Sequence, residues 1–122
     1  MPLDPSKEPL FDDAQIEILR DAVGPEDLGD MLAELPRHAV RSLDAIEAAL
    51  AADDFDQACH AAHVLKGVAG SFGAARLAAV AREMELESSS VTALRQLVPA
   101  LADTIELTSA ALGALTLTVD AE

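Results

Sequence analysis

Between residues 28 and 50 the apolar positions Leu28, Leu32, Leu35, Ala39, Leu43, Ile46 and Leu50 recur at steps of 4, 3, 4, 4, 3 and 4. Only a helix gathers that spacing into one continuous stripe, because a strand would scatter the same residues over both of its faces. A second run, Val91, Leu94, Val98, Leu101, Ile105, Thr108, Leu112 and Leu115, steps by 3, 4, 3, 4, 3, 4 and 3. That is the seam of a bundle helix. Two long helices with one apolar face each must bury those faces against further helices. Composition agrees, since 25 alanines and 18 leucines against three aromatic residues (Phe11, Phe55 and Phe72) favour helix over strand.

Local signals divide the chain into five helices. The first is expected from about Asp13 to Val23, opened by the acidic pair Asp12 and Asp13 and closed at Gly24. Pro25 suits a first helical position, with Glu26 and Asp27 in the following turn, so the second helix starts there and extends to about Ala52, with a kink expected near Pro36. Asp53 or Asp54 caps a third helix running to about Gly70, with Gln57 placed for a weak capping box. Ser71, Phe72 and Gly73 form the turn that follows. A fourth helix, about Ala74 to Glu87, buries Leu77, Val80, Ala81 and Met84 and turns Arg76, Arg82, Glu83 and Glu85 outward. The triplet Ser88, Ser89 and Ser90 ends it, and the fifth helix, bent at Pro99, carries the second seam to about residue 117. The expected architecture is therefore all-α, an antiparallel up-down four-helix bundle with an additional short N-terminal helix, spanning residues 12–118 between a flexible leader (1–11) and a short tail (119–122).

Charge narrows the function. Eight Lys and Arg against 22 Asp and Glu give a net charge of −14, which opposes binding to a phosphate backbone and excludes nucleic acid as a partner. The proline-broken start, MPLDPSKEPL, reads as neither signal peptide nor membrane anchor, and no run of 18 apolar residues occurs. A single cysteine, Cys59, cannot close an internal disulfide. These features predict a soluble, cytoplasmic monomer that does not engage membranes.

One segment departs from generic bundle sequence. With His63 at zero on an ideal helix, Asp56, Cys59, His60, Lys66, Gly67 and Gly70 all fall within about 60° of it. Leu65 and Ala61 fall opposite, flanked by Val68, Ala58 and Ala69, so His63 is expected at the centre of the solvent face. Lys66 lies one turn along, where its ammonium can reach an anion attached to the ring. Glycine inside a helix costs about 1 kcal/mol relative to alanine. Gly70 is explained as a helix cap, whereas Gly67 is best explained as bare backbone left beside the imidazole for another molecule to approach. An imidazole is largely neutral at physiological pH, and its ring-nitrogen lone pair attacks phosphorus without a separate base. Lys66 offsets charge on the transferring group.

The pattern His-x-x-Lys-Gly, then a glycine six residues later and a leucine four beyond it, is met by His63, Lys66, Gly67, Gly73 and Leu77. In this the chain resembles the histidine-containing phosphotransfer (HPt) domains of two-component phosphorelays, although Val68 stands where many members carry a smaller residue. The resemblance covers roughly residues 12 to 117. It implies a four-helix bundle with an extra N-terminal helix and phosphorylation on His63. It further implies response-regulator receiver domains as partners, for which the face around His63 that carries Gly67, Gly70, His60, Cys59 and Asp56 is the expected docking surface. Partners would be those receivers and a hybrid histidine kinase. The chain would need no cofactor of its own, Mg²⁺ being supplied in the receiver. No Walker or GxGxxG pattern accompanies the glycines, which agrees with a carrier and not a kinase.

Other readings compete. His60 and His63 could chelate a metal with Asp56, but an i, i+3 pair without a converging third ligand is a weak signal, and no metal is expected. A helical docking or scaffold module in which His63 is never phosphorylated is the other alternative. His38 reads as a polar surface residue. Arg37, Arg41 and Arg76 either gather near the active face, making it locally basic, or are scattered solubilising charges.

Overall fold

The computed structural model describes residues 7–120, with side chains for residues 7–113. The expected leader and tail fall partly, and the Leu115 side chain wholly, outside the described residues. Helices α1 (Asp13–Val23), α2 (Pro25–Ala51), α3 (Phe55–Ser71), α4 (Ala75–Leu86) and α5 (Val91–Asp120) follow one another, and the described residues contain no strand.

The helix starts are set by side chains that satisfy free backbone donors. Asp12 Oδ1 accepts from the N–H groups of Ala14 and Gln15 at 3.0 and 3.3 Å, and Asp54 Oδ1 accepts from Gln57 N–H at 3.1 Å. Ser90 Oγ does the same for Ala93 N–H at 3.1 Å, opening α5. Gly24, at φ 86°, ends α1 and hands over to Pro25 at the start of α2. Neither Pro36 nor Pro99 divides its helix: α2 and α5 are each continuous through the proline.

The helices close a ring in which α2 packs on α3 and α5, α3 on α4 and α4 on α5, with α1 resting on α2. At its centre Leu28, Leu32, Leu35 and Ile46 of α2, Leu65 of α3, Leu77 and Met84 of α4, and Leu94 and Leu101 of α5 are completely buried. A leucine removed from water in this way contributes roughly 1.5–3 kcal/mol. Leu43, Val91 and Val98 lie at the margins of the two seams, only partly buried. On α3 the inward positions Ala58, Ala62 and Ala69 are small, which lets the neighbouring helices approach closely.

Two contacts fix the ends of the bundle. Arg95 donates to the carbonyl of Leu50 at 2.7 Å, satisfying an acceptor at the C-terminal end of α2 with a cation. Asp12 N–H donates to the carbonyl of Gly73 at 2.7 Å, which fastens the start of α1 to the α3–α4 turn. Among the described residues no helix is long and apolar enough to cross a membrane.

Candidate functional site

His63 projects from the middle of α3 with 61% of its side chain exposed. The inward stripe of α3 is Ala58, Ala62, Leu65 and Ala69, while Ala61 and Val68 are only half-buried. Relative to the expected arrangement the helix is rotated by about 40° on a wheel of 100° per residue, because α3 must face α4 as well as α2. That rotation splits the neighbours of His63 between two sides. Cys59 and Lys66 lie on the α4 side, and His60, Gln57 and Val64 lie towards α2.

On the α4 side stands the residue the sequence reading turned outward. Glu85 has only 14% of its side chain exposed, and its carboxylate bridges two residues of α3. His63 Nδ1 lies 2.5 Å from Oε2, and Lys66 Nζ donates to Oε1 at 2.5 Å. Lys66 itself is 31% exposed. The Lys66 hydrogen bond holds the Glu85 carboxyl below its ordinary range, against the upward push of partial burial and with help from His63. Glu85 is thus an ionised acceptor, and a neutral imidazole that donates to it from Nδ1 carries its lone pair on Nε2. A neutral ring held in that tautomer can attack an electrophile from outside the protein.

A local signal for Glu85 existed. Glu85 follows Ala81 by one turn and sits on the shoulder of the buried stripe of α4, where a long side chain can reach a neighbouring helix.

Gly67 and Gly70 are both exposed, and a Cβ added at either would meet nothing within 4 Å. Among the described residues no contact requires either glycine. Gly70 is not the helix cap that its position promised, because α3 continues to Ser71 and the left-handed residue is Gly73, at φ 72°. Gly73 closes the helix end, with its N–H returning to Gly70 O at 3.1 Å and that of Ala74 to Ala69 O at 2.8 Å.

Asp56 and His60 are exposed, and Cys59 is half-buried. Burial, then the charges of Asp56 and Glu85, push the Cys59 thiol above its usual range, so it is a packed, protonated group. His60 joins Arg41, Ser42, Ala45, Gln57 and Val64 in lining a groove of about 300 Å³ between α2 and α3. Of the three arginines, Arg41 lines this groove. Arg37 pairs with Glu34 at 3.8 Å, and Arg76 Nε donates to the carbonyl of Glu8 at 2.8 Å. Arg76 precedes Glu85 by nine residues on α4, about 13 Å along the axis. His38 is half-buried, with its ring centroid 6.2 Å from that of Phe72. Among the described residues no three His, Cys, Asp or Glu side chains converge as a metal site.

A closed helical bundle whose third helix presents a histidine to solvent is the architecture of a phosphotransfer domain. The family model described as Hpt domain matches residues 28–111, and the chain belongs to that family. With membership comes the family's role, histidine phosphotransfer in phosphorelays, as a phosphoryl carrier without kinase chemistry. Among solved structures, histidine-containing phosphotransfer protein B (HptB) from Pseudomonas aeruginosa PAO1 is similar, with a TM-score of 0.75 and 22% sequence identity over 92% of this chain and 98% of that one. At that identity the likeness speaks for the fold. No curated protein matches the chain.

Proposed function

We propose that His63 accepts a phosphoryl group from the phospho-aspartate of one receiver domain and passes it to another. The observation that carries this reading is the pairing of His63 Nδ1 with Glu85 on a side chain that is 61% exposed, which puts the lone pair of a neutral ring on Nε2. A nucleophile that water and a visiting protein both reach needs no pocket of its own, because the receiver supplies the acidic pocket and Mg²⁺ that hold the phosphoryl group. Lys66, one turn away, supplies the cation on this side of the transfer. Gly67 and Gly70 leave backbone bare beside the ring, and the groove beyond His60, with Arg41 on its wall, offers a cationic edge to an acidic partner.

The test is to incubate the protein with a phosphorylated receiver and Mg²⁺ and to look for acid-labile, base-stable label, with His63→Gln as control. Label in the wild type and none in the variant is the expected outcome. Label that survives in His63→Gln removes the site assignment, and no label from several receivers favours a docking module that is never phosphorylated.

A further inference from the structure

Glu85 has two oxygens and both are engaged, Oε2 by His63 and Oε1 by Lys66. The ammonium of Lys66 therefore already has an anionic partner before any phosphoryl group arrives. A phosphoryl group on Nε2 would add up to about two negative charges to a ring whose other nitrogen is held by a carboxylate. Two anions then face one ammonium on a flexible stem.

We infer that Glu85 and the phosphoryl group of His63 compete for Lys66, so that Glu85 limits the lifetime of the phosphohistidine and favours its onward transfer. The inference rests on phosphorylation of His63 as proposed above. In the transfer, the Nε2 lone pair forms the N–P bond while the P–O bond of the aspartyl phosphate breaks, and that bonding pair leaves on the aspartyl carboxylate. The Nδ1 proton stays on the ring, which becomes a phosphoimidazolium still hydrogen-bonded to Oε2. Glu85 thus stabilises the positive ring that forms, as a buried carboxylate does behind a catalytic histidine. At the same time Oε1 draws Lys66 away from the new dianion. Support at Nδ1 favours loading, whereas the counter-charge that Glu85 withholds from the phosphoryl group through Lys66 limits its lifetime and favours unloading. Glu85 is a positioning residue in this scheme, since it acts through His63 and Lys66 without touching phosphorus.

A double-mutant cycle separates this from plain charge repulsion. The full chain is phosphorylated with phosphoramidate, the donor is removed, and the phosphohistidine signal, assigned by its absence in His63→Gln, is followed by ³¹P NMR. The four proteins are the wild type, Glu85→Gln, Lys66→Met and the double variant. The expected result is a several-fold longer lifetime in Glu85→Gln and no such gain when Lys66 is also replaced. An unchanged lifetime in Glu85→Gln, or a gain that persists without Lys66, overturns the inference while leaving the proposed function standing. Glu85→Ala supplies the same comparison if the glutamine variant fails to fold. A wild type that takes no label on His63, from phosphoramidate or from a receiver, overturns the proposed function and this inference with it.

Discussion

Glu85 Oε2 and His63 Nδ1 lie 2.5 Å apart across the interface of α3 and α4, so a residue on one helix chooses the reactive atom of a residue on the other. Its consequence is measurable without any partner. Nitrogen-15 spectra of the unphosphorylated protein near neutral pH are expected to show His63 with its proton on Nδ1. Glu85→Gln removes the ionised acceptor, so the Nε2–H form gains population and phosphorylation slows by at least about tenfold, equivalent to about 1.4 kcal/mol in the barrier. An Nε2–H ring in the wild type would sink this account.

The same carboxylate makes stability depend on pH in a defined direction. Lys66 and His63 hold the Glu85 carboxyl below its ordinary value, so between the folded and unfolded values the unfolded chain binds more protons. Stability from this group is therefore fully present above the unfolded value, roughly pH 4.3, and is lost as pH falls through the lower folded value. Urea unfolding of wild type and Glu85→Gln should show the wild type more stable at neutral pH and the gap closing in acid. Because the chain's other carboxylates are common to both proteins, the difference isolates residue 85. A gap that stays constant from neutral pH to pH 3 would count against it.

What could be read from the sequence was what local chemistry determines. The stripe from Leu28 to Leu50 is set by period alone, and Asp12 and Asp54 cap because their side chains reach donors two or three residues on. His63 was legible as exposed because Leu65 and the alanines around it define the opposite face of the same helix. Glu85 was not, because its place one turn after Ala81 marks a shoulder of the α4 stripe without saying which neighbouring helix that shoulder faces until α4 is packed against α3. The end of α3 failed for a related reason. Gly70 and Gly73 look alike in sequence, and only the left-handed backbone at Gly73 distinguishes the cap.

Gly67 should behave as a residue the fold does not need. Its missing Cβ would point into open space, so Gly67→Leu should leave the bundle intact and raise its stability by up to about 1 kcal/mol through helix propensity. The leucine would nevertheless stand beside His63, on the proposed path of the receiver. Urea unfolding and a binding titration with the receiver, on the same variant, are expected to move in opposite directions. Unimpaired receiver affinity would retire the idea that bare backbone here serves docking.

Gly73 should behave in the opposite way, although it belongs to the same sequence pattern. Its φ of 72° is a conformation that other residues adopt at about 1–2 kcal/mol. A Cβ there would lie 3.2 Å from Ile16 Cδ1 and 3.4 Å from Gln15, so those two α1 side chains would have to give by a few tenths of an ångström. The carbonyl of Gly73 also receives the Asp12 N–H, which means that a shift of this turn loosens the attachment of α1. Gly73→Ala is expected to lower unfolding stability by at least about 1 kcal/mol and to speed amide exchange in α1 ahead of the other helices. His63, on the far side of two helical turns, should keep its exposure and its bond to Glu85, so phosphorylation should survive at temperatures where the variant remains folded. Equal stability of Gly73→Ala and wild type would mean that the turn relaxes out of the left-handed conformation at no cost, and the role assigned here to Gly73 would fall.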